Sequence, residues 1–259
     1  EPILWPGART RDLKAALELL DGRVNRMIAE RRASAAATED LLGLLLAARD
    51  EDGSGMSDRQ VRDEILTLFV AGHETTANAL AWGLMLLCQH RDVYAKLRAE
   101  VDALGHAPTA ADLPRLPLAL RVFKESLRMY PPVYLFGRIA VADVKLGDYA
   151  LPKSTVVLLS PWALHHRKEI WPDPERFDPD RFTPENEASR HRSAFVPFSA
   201  GPRTCIGNHF ALMEGPLVLA SILHRADVDL IDPRGAEPEP SATLRPRGGL
   251  PMKVHLRAS

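Results

Sequence analysis

From residue 11 the chain places Leu13, Leu17, Leu20, Val24, Met27 and Ile28 at helical spacing, which predicts an amphipathic helix over 11–32. Residues 33–38 read as a loop, a short helix is expected over Leu41–Ala48, and Asp50 to Gly55 has the composition of a turn. Ser57-Asp58-Arg59-Gln60 then forms a capping-box pattern, in which the Ser hydroxyl and the Gln side chain satisfy free backbone N–H groups. No proline interrupts the run from Asp58 to His90, so one helix of roughly 50 Å is predicted at 1.5 Å per residue. Its middle is apolar nearly all round, with Ile65, Leu66, Leu68, Phe69 and Val70 followed by Leu80, Trp82, Leu84, Leu86 and Leu87. Such a helix is expected inside a core.

Further helices are predicted over Arg91–Leu104 and over 117–130, the second stopped by Pro131-Pro132. Between Val133 and Leu159 the pattern shortens to β-type runs, with turns at Gly147-Asp148 and Pro152-Lys153. Residues 171–197 carry proline and charge without periodicity. An ordered meander is expected there, because Trp171, Phe177, Phe182 and Phe195 need burial. A helix follows over Asn208–His224, and the alternating tail from Asp227 suggests short strands. The chain therefore reads as mainly α with small β-sheets, an α+β class, with no internal repeat.

Composition changes this picture little. The 259 residues are 46% hydrophobic, enough for a sizeable core. Lys and Arg number 33 against 34 Asp and Glu, which gives no case for nucleic acid or a general membrane-surface binder. The basic triplet Arg190-His191-Arg192 reads as a solvated loop rather than a docking patch. Cys88 and Cys205 are too few for a disulfide scaffold, so a reducing, cytoplasmic setting is expected. No run approaches the ~20 apolar residues of a membrane span, and no signal-peptide pattern is visible.

Chemistry concentrates in three places. The first is Phe198-Ser199-Ala200-Gly201-Pro202-Arg203-Thr204-Cys205-Ile206-Gly207, immediately before a predicted helix. Glycines permit tight turns and the close approach of a flat ligand. A helix N-terminus favours a thiolate at Cys205, Arg203 can pair with a carboxylate, and Phe198 can pack below a macrocycle. A zinc site needs about four ligands, and Cys205 with His209 supplies two. The second place is Ala71-Gly72-His73-Glu74-Thr75-Thr76, in the middle of the long helix. Gly costs about 1 kcal/mol there relative to Ala, and a carboxylate on an apolar helix needs a partner. An acid beside an alcohol suits proton delivery, although a polar packing notch accounts for the same residues. The third is Glu125-x-x-Arg128, whose two side chains share one helix face. His165-His166 resembles a metal pair, but adjacent residues converge poorly, so polar surface is the expectation. Cys88 reads as an inert buried thiol.

Together and in this order, these patterns resemble the cytochrome P-450 family of haem-thiolate monooxygenases. The cysteine loop fills every position of the family's Phe-x-x-Gly-x-Arg-x-Cys-x-Gly pattern, and the acid-alcohol helix motif matches as well. The resemblance implies haem b (iron protoporphyrin IX) as cofactor, with Cys205 as the axial metal ligand and Gly207 and Phe198 in the haem-binding loop. It implies that Arg203 binds a propionate, and also Arg138, for which a strand-edge charge is the competing reading. Glu74 and Thr75 would manage protons. Phe69, Ala71, Val133 and Leu135 would line the substrate pocket, although core packing accounts for each equally well. Glu125, Arg128 and an arginine of the meander would form a structural triad. Pro174-Glu175-Arg176-Phe177 and Pro179-Asp180-Arg181-Phe182 both fit the meander motif, and the order of aromatic and proline positions favours Arg181.

The family's domain extends further on its N-terminal side, and this chain starts Glu1-Pro2-Ile3 without Met. Residues 1–259 are therefore expected to be one partial domain: the C-terminal part of the cytochrome P-450 fold, with its long central helix and proximal cysteine loop. Part of the long helix would lose its cover and expose an apolar face. The implied reaction activates dioxygen to hydroxylate or epoxidise a small apolar organic substrate. Electrons would come from a separate donor protein of ferredoxin or flavoprotein type, because no flavin or nicotinamide site is evident. The alternatives are a peroxide-driven relative and a catalytically silent haem-binding fragment.

Overall fold

Residues 8–34 and 40–257 are described by a computed structural model; for Ala8 and Arg9 only the backbone is described. By their contacts these residues divide into two units, one ending at His73 and one starting at Glu74. In the first unit, α1 spans Ala8–Ala33 and α2 spans Leu41–Ala47. Most of the loop expected at 33–38 lies outside the described residues, and Ala33 itself closes α1. Asp40 caps α2 by accepting the Gly43 N–H at 2.9 Å. Helix α3 spans Asp58–Gln89 without interruption and runs on into the second unit. Its start is the expected capping box: Gln60 Oε1 accepts from the Ser57 N–H at 2.9 Å and Ser57 Oγ from the Gln60 N–H at 3.3 Å. Val24, Ile28, Leu42 and Val61 form the small core of this unit. Only Val24 and Ile28 of the α1 apolar stripe are buried, while Leu13, Leu17, Leu20 and Met27 remain exposed.

The long helix departs from an all-core reading in its middle. Phe69 and Val70 are 60% and 61% exposed, and burial begins at Ala79 and holds through Trp82, Met85, Leu86 and Leu87.

The second unit is organised on α5, Pro117–Met129. Its apolar stripe Ala119, Val122, Phe123 and Leu127 joins Leu86, Leu87, Leu97, Val101, Leu219, Ala220 and Leu223 in the main core. These residues come from α3, from α4 (Arg91–Asp102) and from the last helix, α8, which spans Asn208–Arg225. Contact between α5 and α8 is close enough to require a glycine. A Cβ on Gly215 would lie 2.3 Å from the Phe123 ring, well inside any real contact. On the opposite face of α5, Arg121 bonds Asp180 at 2.6 Å and Lys124 bonds Glu187 at 2.8 Å.

The strands among the described residues form four antiparallel two-stranded ladders. Phe136–Ile139 (β1) pairs with Val156–Leu159 (β4), and Val144–Leu146 (β2) with Tyr149–Leu151 (β3). Ala226–Leu230 (β5) pairs with Met252–Leu256 (β8), and Pro238–Pro240 (β6) with Leu244–Pro246 (β7). The turns expected at Gly147 and Pro152 join β2 to β3 and β3 to β4. Two short helices, α6 (Pro161–His165) and α7 (Pro184–Ser189), lie in proline-rich sequence where periodicity gives no signal. Both start on a hydroxyl cap followed by proline: Ser160 accepts from Ala163 N–H and Thr183 from Asn186 N–H.

The meander is ordered as expected. Trp171, Phe177 and Phe182 are buried and Phe195 is half-buried, with the Phe182 and Phe195 rings 4.8 Å apart. Two expectations for polar residues here are corrected. Arg190 is not a solvated loop charge: its guanidinium lies 4.0 Å from the centre of the Trp171 ring and donates to the Arg181 carbonyl. His165 is not surface. It is fully buried beside Trp171 and Phe195, and its Nε2 accepts the Val196 N–H at 3.0 Å. A buried N–H with no strand partner needs an acceptor, and a neutral imidazole supplies one.

Burial, reinforced by the nearby Arg128 charge, holds the His165 pKa down at about 3, against 6.5 for an ordinary histidine. Above pH 6.5 the ring is neutral folded or unfolded and contributes no pH dependence. Below it the unfolded chain takes up a proton that the folded chain refuses, so stability falls with pH down to about 3. Relative to His165→Gln, whose amide can still accept from Val196, the parent should lose roughly 2 kcal/mol more between pH 7 and 5. Urea unfolding at the two pH values measures this, and equal losses would contradict it.

Candidate functional site

The cysteine loop is built from two left-handed steps. Ser199 has φ 63° and Gly201 φ 73°, and a 3-10 turn over Gly201–Arg203 follows. Both the N–H and the hydroxyl of Thr204 bond to the Gly201 carbonyl, at 3.0 and 2.8 Å. The Cys205 N–H donates to the Phe198 carbonyl at 2.9 Å, which closes the loop on its first aromatic. Phe198 itself packs against the main core. Gly207 caps α8, and a Cβ there would stand 3.8 Å from the Cys205 sulfur, so its bare face lies beside the thiol.

With its backbone tied inward, Cys205 presents its side chain outward and is exposed. Ile206 and Phe210 flank it and are 89% and 60% exposed. The Arg203 guanidinium is exposed and has no hydrogen-bond or ion-pair partner among the described residues. Arg138, on β1, reaches the same loop, with Nη2 3.4 Å from Ser199 Oγ. An outward thiol at a helix start, apolar neighbours and two arginines fit an iron porphyrin: a soft axial ligand, an apolar rim and cations for propionates. Among the described residues no cluster of three His, Cys, Asp or Glu could hold a metal ion by side chains alone. Cys88 differs. Its thiol donates to the Val228 carbonyl at 3.3 Å, and burial pushes its pKa up, as expected of an inert thiol.

On α3, Phe69 and Ala71 belong to the first unit and are exposed, and the Phe69 ring stacks on His73 one turn later. Glu74 and Thr75 begin the second unit and are half-buried. Glu74 Oε1 accepts from Thr243 Oγ1 at 2.7 Å, and Thr243 accepts in turn from Asn78 Nδ2 at 2.9 Å. Val133 and Leu135, after the Pro-Pro turn, are exposed. Thr243 and Asn78 carry no signal in the sequence, because the residues they bond to each other and to Glu74 lie more than 150 positions apart.

The Glu125–Arg128 pair is fully buried. Arg128 Nε and Nη2 donate to the two carboxylate oxygens at 2.7 and 2.8 Å, and the Asp178 N–H donates to Oε1 at 2.9 Å. Burial pushes the Glu125 pKa upward. The Arg128 guanidinium paired across both oxygens, with the Asp178 N–H and the Arg181 charge, opposes that rise by favouring the ionised form. Arg128 also donates to the carbonyls of His165 at 2.9 Å and Arg176 at 3.4 Å. Of the two competing arginines, Arg181 approaches Glu125, with Nε 3.5 Å from Oε1, and donates to the Asp173 carbonyl. The Arg176 side chain is 70% exposed and faces Asp178 at 3.9 Å.

The fold and this loop are those of a haem-thiolate protein, and the comparisons with known proteins agree. The family profile described as cytochrome P450 matches residues 2–253. Cyclooctatin synthase of Streptomyces melanosporofaciens is 40% identical over 93% of this chain and 52% of its own length. Pentalenene oxygenase of Streptomyces avermitilis is 39% identical over 89% of this chain and 50% of its own. The solved haem domain of cytochrome P450DA superposes with a TM-score of 0.90 at 35% identity, over 96% of this chain and 55% of that one. The chain belongs to the cytochrome P450 family. It spans about half the length of the curated relatives it matches. No helix among the described residues is long and apolar enough to cross a membrane.

The two arginines should separate in a stability assay. Arg181→Ala removes a neighbour of a buried carboxylate and should lower unfolding stability by about 1–3 kcal/mol. Arg176→Ala, at an exposed site, should change it by less than about 0.5 kcal/mol. Equal effects in urea unfolding would remove Arg181 from the triad.

Proposed function

We propose that these 259 residues are the C-terminal, haem-binding part of one monooxygenase domain. The reaction inserts one oxygen atom from dioxygen into a small apolar organic substrate, by hydroxylation or epoxidation. Electrons come from a separate ferredoxin- or flavoprotein-type donor, in a cytoplasmic setting. The observation that carries this reading is the outward Cys205 thiol at the start of α8, with Arg203 nearby in the same loop.

Haem b, when bound, supplies the redox iron chemistry toward dioxygen that no side chain here can supply. Cys205, at the start of α8, would hold its iron through the side-chain sulfur. Arg203 and Arg138 would pair with its propionates. In the second unit Val133 and Leu135 offer apolar surface that holds substrate and excludes water, and in the first unit Phe69 and Ala71 offer apolar surface suited to the same task. Glu74 takes up protons from solvent, and the Thr75 hydroxyl passes them inward. Glu125, Arg128 and Arg181 do no chemistry and hold the meander in place. The open apolar surface at Phe69 and Val70 favours one second reading, a chain that binds haem without turnover.

Haem added to the protein and reduced under carbon monoxide should give the red-shifted Soret band of thiolate ligation, and Cys205→Ala should abolish it. A missing band in the parent, or its survival in the variant, would sink the ligand assignment. Thr75→Ala tests turnover separately. Reductant consumption should persist while product falls and peroxide rises several-fold. Unchanged coupling would take Thr75 out of the mechanism, and absence of reductant-driven product in the parent would leave the silent reading.

A further inference from the structure

The turn between β6 and β7 joins two segments to which the proposed function gives different tasks. Thr243 in this turn is only 7% exposed. Its hydroxyl has a single proton, and Asn78 Nδ2 donates to its oxygen at 2.9 Å. That proton therefore goes to Glu74 Oε1, 2.7 Å away. Asn78 stands one helical turn after Glu74, on the same face of α3. The Glu74 carboxylate is thus held by one oxygen, while Oε2 has no partner among the described residues.

The turn has little freedom. The Trp82 Nε1–H donates to the Leu244 carbonyl at 3.0 Å, and the Leu244 N–H donates to the Pro132 carbonyl at 2.9 Å. The Tyr134 hydroxyl donates to the Ser241 carbonyl at 3.0 Å. Pro132 and Tyr134 bracket Val133, so the turn that holds Glu74 also holds a proposed pocket segment.

We propose that Thr243 is a positioning residue for Glu74: its hydroxyl anchors one carboxylate oxygen so that the other stays free to exchange protons. This rests on the proton-handling assignment of Glu74 above. Without the anchor the carboxylate rotates about its terminal bonds, and the free oxygen loses its fixed direction. A group that must move a proton over a hydrogen-bond distance depends on that direction. Thr243→Val keeps the shape and removes the hydroxyl, whereas Thr243→Ser keeps the hydroxyl.

Two measurements on the 259-residue chain test the proposal. Urea unfolding of Thr243→Val, Glu74→Ala and the double variant forms a cycle that needs no turnover, and the two effects should be non-additive. With haem bound, Thr243→Val should raise the share of reductant lost as peroxide several-fold at an unchanged Soret maximum. Thr243→Ser should return that share to the parent's value, a rescue that a merely space-filling role would not show. An additive cycle, parental coupling in Thr243→Val or failure of the serine to rescue overturns the proposal while the haem assignment stands. A parent without the thiolate band under carbon monoxide overturns the proposed function, and this proposal with it.

Discussion

Two opposite charges with no access to water organise the second unit. Glu125 and Arg128 sit one turn apart on α5 at 0% side-chain exposure, and such a pair persists only if every hydrogen-bonding position on it is used. The surrounding chain meets that demand. Asp178 contributes a backbone N–H, and His165 and Arg176 contribute carbonyls. His165 closes α6, whereas Arg176 and Asp178 lie in the meander, so the pair ties the end of that helix to the meander. The pair adds to the aromatic burial at Trp171, Phe177 and Phe182 in fixing the path of the meander.

A second constraint works on the other face of α5. Gly215 lets α8 close on the Phe123 ring, and α8 carries the cysteine loop on its N-terminal end. The helix that ties down the meander therefore also fixes where the loop begins. Arg138 contacts that loop from β1, whose own position follows from the Pro131-Pro132 stop at the end of α5. A single thirteen-residue helix thus sets the placement of the thiol and of one candidate propionate ligand.

Much of this was legible in the sequence, for reasons that differ by element. Helices α3, α4, α5 and α8 announced themselves through periodicity and caps, and their ends fell within about two residues of expectation. The cysteine loop was legible because glycine, arginine and cysteine at fixed spacing before a helix start each suit a separate demand of the proposed flat, anionic, iron-bearing ligand. Arg181 was favoured over Arg176 from the order of aromatics, and the ion-pair distances agree with that choice. Three things were hidden. His165 looked like half of a surface pair, since nothing local showed that the Val196 N–H would need an acceptor. Arg190 looked solvated because its aromatic partner Trp171 is distant in sequence. The Thr243 anchor depends on a contact across 169 positions, which no local pattern encodes. The exposed stretch at Phe69 and Val70 has no local sign, because an all-apolar helix segment reads locally as core.

The ladders leave one further mark on the molecule. Every strand among the described residues has a single strand partner, and other contacts cover part of the remaining rows, as where the Leu244 N–H donates to the Pro132 carbonyl and the Cys88 thiol to the Val228 carbonyl. The β6–β7 ladder blunts its rows with Pro238, Pro240 and Pro246, which have no N–H to offer. The β1–β4 ladder has no such guard and carries exposed Ile139, Val156 and Leu158. That ladder, whose two strands are separated in sequence by β2 and β3, is an exposed apolar edge of the kind to which an extended segment from another chain can add.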